Sequence, residues 1–247
     1  EAEHNLEQIA KKGMTVCEVA FTYSVYIKRT EDARRIAEKA KELGIFLRIH
    51  ASYFINLNSD DSTKLEKSKQ RLLESCRIGH HFNGKTKTPI VFHPGYSGKT
   101  PEKAEKKIVE SILDVKKIIE EENLSVELCP ETMGKVNVFG SVDEIKSLMN
   151  QTNTNCCIDF AHILARDKRV DYDYIKEVFA HKQWHLHFSG IIYGEKGEKK
   201  HRNATEEEWK DLLVNLPQDK DITIVCESPE PFENCVLGKR VFDQLNV

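Results

Sequence analysis

Six short apolar segments of this 247-residue chain each end in, or are followed directly by, a side chain that can bind a metal ion. These residues are His50, His93, Glu131, Asp159, His185 and Glu227. Each segment has the length and composition of a β-strand, so the polar side chain lies each time at the carboxyl end of a predicted strand. Histidines and carboxylates in similar number are the usual ligands of catalytic zinc, manganese or iron. The set therefore predicts a metal centre.

Two further histidines extend this set. His162 follows Asp159 by three residues, and His201 ends the charged segment GEKGEKKH. Eight such side chains exceed what one ion can use, and a carboxylate can bridge two ions, so we expect a multinuclear centre. Two metal ions close together are suited to phosphodiester hydrolysis. Taken singly, each residue also fits an ordinary hydrogen-bonded role, which we assign to His80, His81 and His181.

Strand-like and helix-like segments alternate along the chain. The predicted strands are 15–21, 45–50, 89–93, 125–130, 154–159, 184–189 and 222–227, and the predicted helices are 4–12, 31–43, 62–79, 101–122, 141–150, 171–181, 205–215 and 234–245. This alternation favours a parallel sheet with crossover helices. Because the candidate ligands come from six successive strands, a closed (β/α)8 TIM barrel fits better than an open doubly wound sheet.

Seven strands are one short of that barrel. The chain begins with Glu1 rather than methionine, and we expect the first strand to precede residue 1. With no linker or break in composition, residues 1–247 are predicted to form a single domain. No apolar run approaches the roughly 20 residues needed to cross a bilayer. Seven cysteines, most of them in predicted strands, suggest reduced thiols in an intracellular, cytoplasmic protein. We expect a monomer.

Several longer motifs resemble those of the endonuclease IV family of apurinic/apyrimidinic endonucleases, in the same order and at similar spacing. They are HASYFINLNS, FHPG, PETMGK, CIDFAH, HLHFSG, GEKKH and CESP. The resemblance runs from about residue 15 to the end of the chain. It implies a zinc-dependent TIM barrel that incises double-stranded DNA 5′ to abasic sites in base-excision repair.

The resemblance also implies a role for individual residues. His50 and His93 would bind one zinc ion, and the catalytic carboxylate Glu131 would bridge to a second ion completed by Asp159, His185 and Glu227. His162 and His201 would bind a third, and a hydroxide held between metals would attack phosphorus. Tyr53 and Phe54 match the positions that enter the duplex at the lesion.

Two departures from the family pattern leave alternatives open. The third-metal motif is normally Asp-x-His, whereas this chain has Lys199 two residues before His201, so Glu198 or Glu195 would have to replace the carboxylate. His187 is a second candidate beside His185. The ligands would also accept manganese or iron. Other hypotheses are a single-metal sugar isomerase or epimerase of the xylose-isomerase-like superfamily and a non-catalytic DNA-binding barrel.

Overall fold

The computed structural model describes residues 2–98 and 100–245, and the chain divides into two compact units. The N-terminal unit comprises Glu1–Glu131 and Ser147–Cys156, and the C-terminal unit comprises Thr132–Lys146 and Cys157–Val247. The single domain of 1–247 stays a prediction. None of the helices in the described ranges combines the length and apolar character that crossing a membrane requires.

The N-terminal unit contains a parallel sheet of four strands. They are β1 (Val16–Ala20), β2 (Phe46–His50), β3 (Thr88–Phe92) and β4 (Val126–Pro130), hydrogen-bonded in that order. Helix α1 (Ala2–Lys11) precedes the sheet, and the crossovers are α2 (Thr30–Glu42), α3 (Ser62–Gly79) and α4 (Pro101–Glu121). A crossover helix connects each strand to the next, so all four strands run in one direction and their carboxyl ends share one edge. Helix α5 (Val142–Thr152) follows β4.

The C-terminal unit contains a second parallel sheet and a hairpin. The sheet consists of β5 (Cys157–Asp159), β6 (Gln183–Phe188) and β9 (Asp221–Cys226), and the antiparallel hairpin of β7 (Gly190–Gly194) and β8 (Gly197–Arg202). The helices of this unit are α6 (Phe160–Asp167), α7 (Tyr172–Val178), α8 (Glu206–Asn215) and α9 (Pro231–Leu245). In the sheet, β6 pairs with β5 on one side and with β9 on the other.

Helix starts follow the local sequence. Thr100 is the N-cap of α4 and Pro101 occupies the first turn, an order that is favoured at helix starts. Before α5, the Ser141 hydroxyl accepts a hydrogen bond from the Glu144 backbone N–H, and the Glu144 carboxylate accepts one from the Ser141 backbone N–H. These reciprocal bonds form a capping box.

All seven predicted strands are present, with ends within about three residues of those expected. The sequence did not predict α6, which begins directly after β5, or the hairpin of β7 and β8, which was interpreted as a charged loop. The seven cysteines are free thiols, and burial raises the pKa of Cys17 to about 11, which keeps that thiol protonated and unreactive.

Candidate metal centre

In the N-terminal unit, the carboxyl ends of three strands bring together His50, His93 and Glu131. The Nε2 atoms of His50 and His93 lie 3.2 Å and 3.1 Å from the same Oε2 atom of Glu131. Glu131 is fully buried, and its backbone N–H donates to Phe92 O, which fixes the residue beside β3. The three predicted ligands that belong to this unit therefore lie within reach of one ion.

The hydrogen bonding of His50 suits a metal ligand. Its Nδ1 lies 2.8 Å from Ala51 O, and a carbonyl can only accept, so Nδ1 carries the proton. In the neutral imidazole the Nε2 atom then presents a lone pair, which here faces a carboxylate oxygen. At this distance either a proton or a metal cation can join the nitrogen to the carboxylate oxygen, and a carbonyl on the other ring nitrogen is typical of metal-bound histidine.

The loops that carry these ligands hold each other in place. Asn56 Oδ1 accepts from the backbone N–H groups of Asn58 and Tyr96, and Leu57 N–H donates to Pro94 O. Gly95 has φ +133°, and a Cβ added there would lie 2.4 Å from Asn56 Oδ1. Only glycine fits this approach. Sequence reasoning missed this role of Asn56, although the residue lies in one of the motifs.

In the C-terminal unit, Asp159, His187 and Glu227 form a second group. Their potential ligand atoms all lie within 4.8 Å of one another, and His187 Nδ1 is 3.2 Å from Glu227 Oε1. Asp159 and His187 are fully buried. They are register partners in the sheet, so the two side chains stand at the same level.

His185, the predicted ligand, is not part of this second group. It pairs with Cys157 in the sheet, and its Nδ1 is 3.1 Å from the hydroxyl of Thr223. A two-residue offset along a strand moves a side chain by about 6.6 Å. The structure therefore groups His187, and not His185, with Asp159 and Glu227.

In the buried carboxylate of Asp159, one oxygen accepts a hydrogen bond from a described residue and the other does not. Oδ1 accepts from the backbone N–H of His162 and caps α6, whereas Oδ2 is buried without a hydrogen-bond donor among the described residues. A buried carboxylate oxygen without a donor is costly unless a cation neutralises it. Asp159 N–H also donates to the hydroxyl of Thr132, a motif residue whose positioning role sequence reasoning missed.

A third group in the same unit consists of His162, Glu198 and His201. The Nε2 atoms of the two histidines lie 3.2 Å apart. The Glu198 carboxylate oxygens are 3.6 Å from Nε2 of His162 and 3.8 Å from Nε2 of His201. His162 Nδ1 donates to Thr132 O, and His201 Nδ1 hydrogen-bonds to the Ser189 hydroxyl. Two nitrogen ligands of one tetrahedral zinc lie about 3.3 Å apart, given Zn–N distances of about 2.0–2.1 Å, so this group fits such an ion.

The hairpin explains how Glu198 reaches this position. Residues three apart on a regular strand point to opposite faces. The pairing of β8 with β7, however, shifts next to Tyr193: Lys200 pairs with Ile192, and Glu198 pairs with Tyr193. Lys199 is thus the extra residue of a β-bulge, which brings Glu198 and His201 onto one side. Lys199 is not part of the third group, whereas Glu198, one of the two predicted substitutes for the carboxylate, lies beside His162 and His201.

Close backbone packing holds Glu198 against His162. A Cβ added to Gly134 would lie 2.8 Å from Glu198 Cβ and 3.0 Å from His162 Cδ2. Gly197, at φ +89°, leaves no room for a side chain because Gly134 O would be 2.0 Å from its Cβ. The segment around Gly134 therefore packs directly on the hairpin, and Glu198 N–H donates to Gly134 O.

We expect Glu198→Gln to lower the metal content of the protein by about one ion per chain, because the amide removes the only carboxylate of the third group. Glu195→Gln makes the same change in the turn of the hairpin and should leave the metal content unchanged. Elemental analysis after dialysis against limiting zinc measures both. Equal metal content in the two variants would contradict the assignment of Glu198.

The two aromatic residues after β2 differ in their surroundings. The ring of Tyr53 stacks on His93 at a centroid distance of 5.4 Å, and its edge faces His50 at 5.1 Å. Phe54 is 56% exposed and lies between Tyr23 and the guanidinium of Arg71, each 5.8 Å from its ring centroid. Tyr53 therefore contacts the two histidines, whereas more than half of the surface of Phe54 is open to solvent.

The fold agrees with the family to which the chain belongs. Residues 6–239 match the model of the xylose isomerase-like TIM barrel family, so the chain is a member of that family. Its fold is the xylose isomerase-like TIM barrel, as the sequence predicts.

Two curated relatives are similar to the chain in sequence. An uncharacterized protein of Methanocaldococcus jannaschii is 34% identical over 97% of this chain and 91% of its own length. A probable endonuclease 4 of Thermoplasma volcanium is 31% identical over 58% of this chain and 49% of its own length. The chain thus matches about half of that endonuclease.

Solved structures share the fold at low sequence identity. The structure of SacUVDE has 17% identity and a TM-score of 0.76, with 99% of this chain and 85% of that chain covered. A D-psicose 3-epimerase from Clostridium cellulolyticum has 15% identity and a TM-score of 0.67, with 100% and 92% covered. At these identities the likeness concerns the fold alone.

Proposed function

We propose that this protein is a metal-dependent phosphodiesterase that incises double-stranded DNA on the 5′ side of abasic sites. The observation that carries the proposal is the arrangement of histidine Nε2 atoms. His50 and His93 direct theirs at one buried carboxylate oxygen, and those of His162 and His201 face each other. The relatedness to a probable endonuclease 4 supports DNA as the substrate.

Metal ions held by these groups would act as Lewis acids on phosphoryl oxygens. They would also lower the pKa of bound water, so that hydroxide is available at neutral pH. The chain itself orients the ligands. Thr132 fixes both Asp159 and His162, and the Tyr53 ring stacks against His93. The exposed ring of Phe54 contacts the bases beside the lesion. An abasic nucleotide is easily turned out of the duplex because no base pair has to be broken.

Phe54→Ala is expected to weaken binding to an abasic duplex by roughly 5- to 150-fold, because stacking of a base on an aromatic ring is worth roughly 1–3 kcal/mol. Phe242→Ala removes another exposed phenylalanine, on α9, and should leave affinity within twofold. Fluorescence anisotropy with a labelled duplex in the presence of chelator measures binding without cleavage. If both variants bound like the wild type, Phe54 would not contact DNA.

The reaction is tested by analysing the ends it produces. Hydrolysis on the 5′ side of the lesion leaves a 3′-hydroxyl on the upstream strand and a 5′-phosphate on the abasic residue. Mass spectrometry of products from a duplex with one tetrahydrofuran abasic analogue should show these two ends. An undamaged duplex of the same sequence is the control and should stay intact. Cleavage of both duplexes alike, or of neither, would contradict the proposal.

The sugar isomerase or epimerase alternative has support from the shared fold and from Asp159, His187 and Glu227, which would suit a single ion. Such an enzyme has no need of His50, His93 or His162 as ligands. Elemental analysis separates the two functions. A content near one ion per chain, together with epimerisation of ketohexoses, would favour the epimerase, whereas two or three ions favour the nuclease.

A further inference from the structure

We propose that the N-terminal unit has a second ligand site, a pocket that binds the phosphate group of a nucleotide-sized small molecule. The pocket has a volume of about 560 Å³, within the usual range for small-ligand sites. Ile45 and Phe46 line it at the amino end of β2, whereas His50 ends the same strand about 13 Å away. The pocket is therefore separate from the candidate metal ligands of this unit.

One wall of the pocket is a single face of α2. It consists of Arg34, Ala37, Glu38 and Lys41. Arg34 and Lys41 each lie three or four residues from both Ala37 and Glu38, which places all four on one face of the helix. The opposite wall is the turn 81–86 between α3 and β3, which contributes Lys85. Both walls line the same pocket, so side chains from two separate elements face one space.

The charges of the pocket favour an anion. Arg34, Lys41 and Lys85 line it, and within the described chain none of them has a carboxylate within ion-pair distance. Glu38 is the one acidic residue among the described lining residues. The pKa of His81 is lowered by burial and then by the charges of His80 and Arg34, which agrees with a positive potential there. Arginine and lysine without partners in a concave site are suited to phosphate.

Compensation of helix dipoles does not account for these charges. Lys41 lies in the last turn of α2, where a cation is favourable without any ligand. Arg34, however, lies near the start of the same helix, and Lys85 lies outside any helix. Two of the three cations therefore have no role in stabilising a helix end.

The pocket is preformed and has an apolar floor. Asn83 fixes the turn, because its side chain exchanges hydrogen bonds with the backbone of Leu47 and donates to the hydroxyl of Thr88. Buried Ile45 and Phe82 and half-buried Phe46 form the floor. A rigid site with apolar and cationic parts is suited to a nucleoside monophosphate, whose base and sugar would cover the floor while the phosphate meets the cations.

Calorimetric titration of the full chain with adenosine monophosphate tests this site. Metal is first removed with chelator so that phosphate cannot bind to metal ions. We expect the double variant Arg34→Gln/Lys85→Gln to weaken binding at least tenfold. The control Arg35→Gln/Lys12→Gln removes two charges outside the pocket lining and should stay within twofold. Adenosine, which lacks the phosphate, should not bind measurably.

Three results would overturn the proposal: no binding of adenosine monophosphate to the wild type, equal affinity in the wild type and the pocket variant, or tighter binding of a ten-nucleotide strand without terminal phosphates. The last result would assign the pocket to the backbone of a polynucleotide. Incision of abasic DNA by the pocket variant should stay within twofold of the wild type. If the phosphate pocket is disproved, the proposed nuclease function is therefore unaffected. If the nuclease function is disproved, the proposal of a phosphate pocket likewise stands.

Discussion

Replacing Glu131 by glutamine is expected to lower the rate of incision at an abasic site by about a hundredfold or more, because a charged group at the reacting centre is lost. The carboxylate is fully buried, and one of its oxygens faces Nε2 of both His50 and His93. Glutamine keeps the size of the side chain but removes its negative charge. Single-turnover incision of a labelled duplex gives the rate.

The control for this prediction is Glu120→Gln, which changes an exposed carboxylate on α4. Its rate should match the wild type. Circular dichroism of both metal-free variants shows whether the fold is intact. If a folded Glu131→Gln protein cut DNA at the wild-type rate, catalysis by this group would be excluded and the non-catalytic DNA-binding barrel would gain support.

The second large effect concerns the histidine pair of β6. His187→Gln should reduce incision at least tenfold and remove metal from the group formed with Asp159 and Glu227, because its Nδ1 lies 3.2 Å from a Glu227 oxygen. His185→Gln should retain both metal and most activity, because that side chain hydrogen-bonds to Thr223. The same chemical change two residues apart thus gives two different results.

Elemental analysis and incision rates of the two variants, measured on protein of matched thermal stability, decide between the histidines. A loss of metal confined to His185→Gln would reverse the assignment. Equal losses in both variants would indicate a structural role for the pair.

The sequence was sufficient to predict the parallel strands and the positions of histidines and carboxylates at their ends. Apolar runs such as those before His50 and His93 have the composition of buried strands. A polar residue that directly follows such a run can be placed at a strand end from the sequence alone. The capping residues of α4 and α5 were predictable for the same reason, since N-caps depend on local sequence.

Features that depend on pairing were not predictable. His185 and His187 share one side of β6, and only the register with Asp159 distinguishes them. In the hairpin, β7 is a short apolar segment bounded by glycines and β8 is charged without apolar alternation, so both strands depend on their pairing with each other. The bulge at Lys199, which places Glu198 beside His201, depends on that pairing as well.

The most direct test of the proposed function is the rate of incision of a duplex with one abasic analogue, compared with its undamaged counterpart, before and after removal of metal. The zinc-loaded protein is expected to cut the abasic duplex at least a hundredfold faster than the undamaged one. Chelation should abolish the activity, and added zinc or manganese should restore it. Incision that persists after complete removal of metal, or no incision by the metal-loaded protein, would contradict the proposal.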